Sequence, residues 1–312
     1  MRLLGIHHLT AVSADARGNH DFYTRVLGMR LVKKTVNQDD ASAYHLFYAD
    51  GAASPGTDVT FFDWPVARER RGGDSIVRTA LRVNGRAALD FWGERLAQAG
   101  VRAGPIETLD GRLQRTFEDP EGQRLALIDA EGMASAHPWP RSPVPEAMQI
   151  RGLGPITISV GALAPTERFL TTLMAMRRAR GYGEGGVETH VFEMGEGGVG
   201  AELHVRVEPG LPAAQPGAGG VHHVAFRIAD EAYDAWATRL REARIPTSGP
   251  VDRFYFRSLY TRGPAGILYE IATDGPGFDA DEPMETLGES LSLPPFLEPR
   301  RAQIERALKP LT

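Results

Sequence analysis

The feature that most constrains this chain is a short segment that occurs once near each end. Residues 5–9 (GIHHL) match residues 220–224 (GVHHV), and in both places the next residues are apolar and β-prone. A stretch with helical spacing of apolar residues then follows each copy, at 19–27 and at 231–243. A repeat of this kind must be found first, because overlooking it leads to the wrong fold.

Two weaker copies of the same unit lie between the outer ones. The second unit covers residues 76–129 and the third covers 155–207, and each starts with a strand-like run followed by a helical stretch. Each unit is interpreted as a strand, a helix and then about three strands. Segments rich in Pro and Gly, 136–146 and 208–220, separate the second unit from the third and the third from the fourth, and they are typical of linkers.

A strand–helix–three-strand unit exposes one face of a small sheet and has to bury it against another unit. The sequence therefore predicts an α+β fold in which βαβββ modules pair and curl into open barrels. We expect an N-terminal domain at 1–135 and a C-terminal domain at 150–275, each with two modules. Residues 276–312 lie outside the repeats and are expected to form a tail that ends in a short helix and could act as a lid.

Composition narrows the chemistry. The 312 residues include no cysteine, so a metal would have to be bound through nitrogen and oxygen. The net charge is −5 with acids and bases interleaved, which is not the pattern of a nucleic-acid-binding protein. No apolar run resembles a signal peptide or a membrane span. We expect a cytoplasmic protein that acts on a small molecule, with no membrane partner and with homo-oligomerisation left open.

The outer units carry an unusual set of polar residues. Successive residues of a strand point to opposite faces, so only one histidine of each pair can face the concave side unless the strand bulges. Glu270 lies within an otherwise apolar strand, residues 266–272. A carboxylate there is unfavourable unless it is paired, protonated or bound to a metal, and an ion pair with Arg253 or Arg257 would explain it equally well.

The repeat supplies its own control. Alignment of the turns places Ala126 of the second unit where the fourth has Glu270, and alignment of the first strands places Arg78 and Pro155 where it has His223. The outer units alone hold the ligand set, which indicates one site assembled from the first and fourth units. Two histidines and one carboxylate with open positions are typical of non-haem Fe(II) and oxygen chemistry, and Mn(II) or catalytic Zn(II) sites can use such ligands too.

At these residues the chain resembles the vicinal oxygen chelate superfamily of glyoxalase-like proteins. Within it, the chain is similar to the ring-cleaving dioxygenases that open hydroquinones and chlorinated hydroquinones. The resemblance covers nearly the whole chain and includes the segments 44–50 (YHLFYAD), 55–57 (PGT), 60–62 (TFF) and 293–298 (LPPFLE). It implies that the first module pairs with the fourth and the second with the third, which the ligand distribution also favours.

The resemblance implies a role for each candidate site residue. His8, His223 and Glu270 match the metal ligands, for Fe(II) or alternatively Mn(II). The polar residues around the aromatic substrate and O₂ would be His7, Thr10, His222, Arg253 and Tyr260. His222 or His7 would act as general acid/base, Arg253 would stabilise negative charge, and Tyr260 would hydrogen-bond the substrate or the oxygen adduct. Arg253 and Tyr260 have opposite strand parity, so a bend or bulge must separate them if both are to reach the pocket.

Two other functions on the same fold stay open at this point, because fold does not fix function. Glyoxalase-type isomerases often supply a fourth protein ligand and a second carboxylate, and this sequence offers one candidate carboxylate. Non-catalytic drug-binding resistance proteins typically lack the complete set of three ligands and are much shorter. The sequence also leaves open the ring substituents, the choice between hydroquinone and catechol, and the choice between Fe and Mn.

Overall fold

The computed structural model describes residues 1–132 and 137–311. Within these ranges the chain forms sixteen strands, β1–β16, and five α-helices, α1–α5. The predicted domain boundary at residue 135, the first residue of the predicted linker, Ala136, and the last residue of the tail, Thr312, lie outside the described residues.

The strands and helices follow the predicted four-module order. The first module consists of β1 (Gly5–Ser13), α1 (Ala16–Asp21), β2 (Arg30–Val36), β3 (Tyr44–Ala49) and β4 (Asp58–Asp63). The second consists of β5 (Ser75–Val83), α2 (Gly85–Gln98), β6 (Glu107–Leu109), β7 (Arg112–Glu118) and β8 (Arg124–Asp129). The third consists of β9 (Leu153–Val160), α3 (Leu163–Arg168), β10 (Arg177–Glu184), β11 (Val187–Glu193) and β12 (Glu202–Val207). The fourth consists of β13 (Val221–Ile228), α4 (Tyr233–Glu242), β14 (Val251–Asp252), β15 (Phe256–Arg262) and β16 (Leu268–Pro276), and the tail carries α5 (Arg301–Ala307).

The strands assemble into two curled eight-stranded sheets. One has the order β14-β15-β16-β13-β1-β4-β3-β2 and joins modules one and four; we call it the first barrel. The other has the order β10-β11-β12-β9-β5-β8-β7-β6 and joins modules two and three; we call it the second barrel. In each barrel the opening strands of the two modules lie antiparallel at the centre. The predicted α+β fold and both module pairings are confirmed.

Alternation along the central strands decides which side chains enter the first barrel. Leu9 on β1, Val224 on β13 and Tyr269 on β16 belong to one large apolar core that includes residues of both barrels and of the helices. Because neighbouring residues of a strand point to opposite faces, the residues next to these three face the concave side. The apolar positions of the sequence therefore determine where the polar ones converge.

The tail packs into the first barrel through fixed contacts. Phe278 and Leu287 join an apolar cluster with residues of β2, β3 and β15. The fully buried Lys33 of β2 forms ion pairs with Asp281 (2.7 Å) and Glu282 (2.5 Å). A role of the tail as a lid stays a prediction, and so does the division into two domains, since each barrel takes one module from each. None of the helices in the described ranges is long and apolar enough to cross a membrane.

Candidate metal centre

Three side chains with ligand atoms converge on the concave face of the first barrel. They are His8 on β1, His223 on β13 and Glu270 on β16, three adjacent strands of the sheet. Glu270 Oε2 lies 3.2 Å from His8 Nε2 and 2.9 Å from His223 Nε2. Two segments that are distant in sequence therefore bring two imidazole nitrogens and one carboxylate oxygen to a single point.

The three residues fit a divalent metal ion. Glu270 is fully buried; Ser258 donates a 2.5 Å hydrogen bond to its Oε1, whereas Oε2 has no hydrogen-bond partner among the described residues. A buried carboxylate oxygen whose near neighbours are ring nitrogens, with no hydrogen bond of regular geometry in the described ranges, is unfavourable unless a cation compensates its charge. Two imidazole nitrogens and a carboxylate oxygen suit Fe(II), Mn(II) or Zn(II).

An ion pair with arginine does not explain Glu270. Arg253 forms a bidentate pair with Asp39, at 2.9 and 3.1 Å, and Arg257 donates to the backbone carbonyl of Asp230 at 2.9 Å. The charged or polar neighbours that contact the Glu270 carboxylate are the two histidines and Ser258, as given above. Of the two explanations that the sequence left open, the metal ligand is the one that the geometry favours.

The electrostatics keep Glu270 and His223 in protonation states that can bind a metal ion. Burial alone would raise the pKa of Glu270, but the adjacent His8 and His223 hold it well below its usual value. Burial lowers the pKa of His223, and this outweighs the opposing effect of Glu270. An ionised carboxylate and a neutral imidazole are the protonation states in which these side chains bind metals.

The histidine that precedes each candidate ligand contacts it at hydrogen-bond distance through a ring nitrogen. His7 Nδ1 lies 2.8 Å from His8 Nδ1, and His222 Nδ1 lies 2.8 Å from His223 Nδ1. A register shift between Ile6 and His8 marks a bulge in β1, which allows His7 to turn towards its neighbour. Burial, followed by the charge of the adjacent histidine, lowers the pKa of both His7 and His222 to about 3. Both rings are therefore neutral, and neither is among the residues that line the cavity beside His8 and His223.

A chain of hydrogen bonds leads from His223 along the barrel wall. Thr10 Oγ1 lies 3.1 Å from His223 Nε2 and 2.8 Å from Thr60 Oγ1, which in turn lies 2.9 Å from His45 Nε2. This chain uses β1, β4 and β3, the first-module half of the barrel. Thr10 is fully buried, and its contact with His223 places its side chain on the same side of the sheet as the candidate ligands.

Thr60 occupies the first-module position that corresponds to Glu270. Thr60 pairs with Thr10 in parallel strands, just as Glu270 pairs with Ala225, and Thr10 and Ala225 each follow a ligand histidine by two residues. The fold therefore offers a place for a second carboxylate, and this chain fills it with a threonine. With a threonine at this position, three side chains remain at this point that could hold a metal ion: His8, His223 and Glu270.

A narrow cavity opens beside the ligands. Aromatic and polar side chains line it, namely His8, Thr35, Asn37, Gln38, Asp39, His45, Phe47, Phe62, His223, Arg253, Tyr255, Phe256 and Tyr260. Its volume is about 40 Å³, whereas a cavity that holds benzene measures about 150 Å³. An aromatic ring would therefore enter this cavity only if wall side chains moved.

Arg253 and Tyr260 meet at the mouth of this cavity. The Arg253 Nε donates to the Tyr260 hydroxyl at 3.2 Å. Arg253 lies in the turn between β14 and β15, and Phe254 in the same turn has a left-handed φ of +69°. Arg253 and Tyr260 have opposite strand parity, and this turn is the bend that lets both side chains reach the cavity. Burial, followed by the charge of Glu270, raises the pKa of Tyr260, so its hydroxyl stays protonated.

The sequence alone did not identify five residues at or beside the site: Thr35, Asp39, His45, Thr60 and Ser258. Ser258 shares a strand face with Tyr260, and alignment of the first unit with the fourth would have placed Thr60 opposite Glu270. His45 lies in the segment 44–50, which carries a family resemblance but no pattern that indicates a site residue. Asp39 lies in a loop and gave no periodic signal.

A second cluster with ligand atoms lies in the second barrel but has a different character. Asp110, Glu202 and His204 bring oxygen and nitrogen atoms close together. Arg112 donates to both Glu202 oxygens at 2.7 and 2.8 Å, and Arg180 binds both oxygens of Asp110. Because guanidinium groups already neutralise these carboxylates, the cluster is an ion-pair network rather than a metal site.

Comparison with known proteins gives consistent matches. The family model described as "Glyoxalase/Bleomycin resistance protein/Dioxygenase superfamily" matches residues 5–127 and 152–271. The chain is 45% identical over 315 residues to the "Putative ring-cleaving dioxygenase MhqA" of Bacillus subtilis, with 100% of both chains covered. It is 31% identical over 321 residues to the chlorohydroquinone/hydroquinone 1,2-dioxygenase of Sphingobium indicum, covering 98% of this chain and 96% of that protein.

A solved structure matches the whole fold. The crystal structure of a protein from Bacillus subtilis titled "putative dioxygenase" superposes with a TM-score of 0.92 at 35% sequence identity. The match covers 100% of this chain and 98% of that one. The two-barrel architecture described above is therefore shared over the full length of both proteins.

Proposed function

The chain belongs to the glyoxalase/bleomycin resistance protein/dioxygenase superfamily, and we propose that it is a metal-dependent ring-cleaving dioxygenase that uses O₂ to open a hydroquinone or a related dihydroxylated aromatic ring. The superfamily predicted from the sequence is thereby confirmed. The observation that carries the proposed activity is the buried set of two histidines and one carboxylate, in which Glu270 Oε2 has no hydrogen-bond partner in the described ranges. The names of the Bacillus and Sphingobium relatives support the same reaction class.

His8, His223 and Glu270 would hold one divalent metal ion, which we propose to be Fe(II), with Mn(II) as the alternative. When bound, such an ion with open coordination positions supplies O₂ activation and stabilises a phenolate. Ser258 would keep the Glu270 carboxylate oriented through the hydrogen bond to Oε1, and His7 and His222 would fix the two ligand rings.

The cavity side chains would bind and orient the ring. Arg253 presents a positive charge that would stabilise negative charge developing on a substrate oxygen. Tyr260, which stays protonated, would donate a hydrogen bond to the substrate or to the oxygen adduct. Aromatic walls formed by Phe47, Phe62 and Phe256 would pack against the ring and exclude water from it. The predicted acid/base role of His222 or His7 stays a prediction, since neither ring lines the cavity as it stands.

Two competing functions are less well supported by the residues. A glyoxalase-type isomerase with a second carboxylate ligand is disfavoured because Thr60 occupies the position that corresponds to Glu270. A non-catalytic drug-binding protein is disfavoured because the three ligands are complete and buried. The cytoplasmic location and the lack of nucleic-acid and membrane partners expected from the sequence remain part of the proposal, with homo-oligomerisation left open.

Oxygen consumption tests the proposal directly. The purified chain is loaded with Fe(II) or Mn(II) without oxygen, the bound metal is measured, and O₂ uptake is then followed with hydroquinone, chlorohydroquinone and catechol. We expect uptake with the para-diols, stoichiometric with the loss of the aromatic absorbance and with a ring-opened product. A fully metal-loaded chain that consumes no O₂ with any of these diols would refute the dioxygenase assignment and favour one of the two competing functions.

A further inference from the structure

We propose that Thr35 and His45 form a second polar subsite, which binds the distal hydroxyl of a para-diol while its other oxygen lies at the metal centre. This inference rests on the proposed function and specifies how the same site recognises its substrate. In this proposal, strands β2 and β3 at the edge of the first barrel distinguish two classes of diol. One class has its oxygens at opposite ends of the ring, and the other has them on adjacent carbons.

Thr35 carries the first half of the argument. Its side chain lines the cavity and is only 2% exposed, yet its hydroxyl has no hydrogen-bond partner among the described residues. Buried polar groups in folded proteins are nearly always hydrogen-bonded, and each exception requires an explanation. A substrate hydroxyl that enters the cavity would satisfy this group.

His45 lies directly across from Thr35 in the antiparallel pair of β2 and β3. Its ring sits between Phe47 and Phe62, with centroids 4.0 and 4.4 Å away, and its Nε2 is bonded to Thr60. Within the described ranges, no side-chain hydrogen bond reaches its Nδ1. Burial, and then the charges of His8 and His223, hold the pKa of His45 well below its usual value, so a neutral ring presents this nitrogen to a ligand.

The other polar groups of the cavity are already engaged. Asn37 Oδ1 accepts from the backbone N–H of Asp39 at 2.9 Å, and Gln38 donates to the backbone carbonyl of Arg253 at 2.7 Å. Arg253 is bonded to both Asp39 and Tyr260. Among the lining residues in the described ranges, Thr35 Oγ1 is the buried polar atom that lacks a hydrogen-bond partner, and His45 lies opposite it on the next strand.

The order of the strands separates Thr35 and His45 from the candidate ligands, as the two distant oxygens of a para-diol require. The metal ligands lie on β1, β13 and β16, whereas β3 and β2 follow β4 towards one edge of the curled sheet. Two of the candidate ligands, His8 and His223, nevertheless line the same cavity as Thr35 and His45. In a para-diol the two oxygens lie at opposite ends of the ring, so one can face the ligands and the other the β2–β3 wall. In an ortho-diol both oxygens would face the ligands.

Binding measured without O₂ separates recognition from turnover. The Fe(II)-loaded chain is titrated anaerobically with hydroquinone and with phenol, which lacks the distal hydroxyl, and the two dissociation constants are compared by calorimetry. We expect Thr35→Val, which keeps the side-chain volume, to weaken hydroquinone binding about tenfold and phenol binding less than twofold. His45→Phe should act in the same direction, and Thr35→Ser should keep the preference of the native chain.

A matched control is available in the second barrel. Thr79 on β5 is also fully buried, with a hydroxyl that has no partner in the described part of the chain, but it lies outside the cavity. Thr79→Val should change neither dissociation constant. Circular dichroism and metal content verify that each variant is folded and loaded before binding is compared.

The possible results distinguish the two proposals. If the native chain consumes O₂ with hydroquinone but Thr35→Val and His45→Phe keep the native ratio of hydroquinone to phenol affinity, the subsite is overturned and the dioxygenase proposal stands. If the native chain shows no O₂ uptake, the dioxygenase proposal fails, while a hydroquinone preference that Thr35→Val abolishes still supports the subsite. A native chain that binds phenol as tightly as hydroquinone overturns the subsite whatever the turnover.

Discussion

The two barrels are built from the same module, yet their concave faces balance charge in opposite ways. In the first barrel Glu270 is fully buried with one oxygen that lacks a hydrogen bond within the described ranges, and histidines surround it. In the second barrel Glu202 is equally buried, but Arg112 binds both of its oxygens and Arg180 binds one. One barrel leaves a negative charge for a ligand to neutralise, whereas the other neutralises it within the protein.

Strand register shows which residues of the second module stand at the positions of Glu270 and His223. Ala126 pairs with Ala80 in the second barrel as Glu270 pairs with Ala225 in the first. Arg78 precedes Ala80 by two residues, as His223 precedes Ala225, and Arg78 is held by Glu184 at 2.6 Å. The second module therefore has an arginine at the position of His223 and an alanine at the position of Glu270, so it lacks both candidate ligands. The same fold therefore carries a candidate metal site in the first barrel and an ion-pair network in the second.

The largest expected effect comes from removing the charge that only the first barrel leaves unbalanced. Glu270→Gln keeps the shape of the side chain but replaces the free carboxylate oxygen by an amide. We expect metal content to fall well below one ion per chain and O₂ uptake with hydroquinone to fall by more than about a hundredfold, since even groups that only support ligands cost about 10–100-fold. Elemental analysis and an oxygen electrode measure the two quantities. Full metal content with native turnover would contradict the ligand assignment.

The equivalent change in the second barrel should affect stability instead. Glu202→Gln leaves Arg112 and Arg180 without their full counter-charge, and breaking a buried ion pair costs about 3 kcal/mol. Chemical denaturation should show this loss, while metal content and turnover stay near those of the native chain. Loss of metal from this variant at an unchanged stability would mean that the second barrel is not the scaffold described above.

The same variant should change the acid sensitivity. Burial would raise the pKa of Glu202, but hydrogen bonds from His204 and Arg112 hold it far below its usual value. A lowered folded-state pKa stabilises the fold above the unfolded value of about 4.3 and loses that contribution as the pH falls further. The native free energy of unfolding should therefore decline below about pH 4, and Glu202→Gln should show a weaker decline.

Ser258 tests how far the first barrel depends on support for its ligands. Ser258→Ala removes the donor to Glu270 Oε1, so the carboxylate loses the hydrogen bond that orients it. We expect the metal dissociation constant to rise about tenfold, as measured by competition with a chelator. Ser258→Thr keeps a hydroxyl and should retain most of the affinity. A tenfold loss in Ser258→Thr as well would indicate that packing, rather than the hydrogen bond, is what matters.

The fold and the convergence of His8, His223 and Glu270 could be predicted from the sequence because both rest on patterns that repeat. The duplicated His-His segments and the acidic residue inside an apolar strand are visible without coordinates, and the middle units served as a control. Thr35, His45 and Thr60 were not identified, because a single polar residue on a half-buried strand looks the same whether it faces solvent or a cavity. Their meaning depends on cross-strand register, here Thr35 opposite His45, which local sequence does not specify.

The smallest expected effect concerns the mouth of the first barrel, where an ion pair is exposed rather than buried. The Asp39 side chain is 73% exposed, and its pair with Arg253 lies beside a cavity too small for an aromatic ring. Exposed ion pairs contribute about 0–1 kcal/mol, so Asp39→Ala should ease the movement of Arg253 and raise the apparent second-order rate constant for hydroquinone by about threefold. Asp40→Ala, at the neighbouring exposed acid, should change nothing. High salt screens such a pair. Raising the salt concentration should therefore increase the rate constant of the native chain more than that of the Asp39→Ala variant. A slower Asp39→Ala variant would mean instead that Asp39 positions Arg253 for the reaction, and that the first barrel, like the second, relies on an ion pair for its geometry.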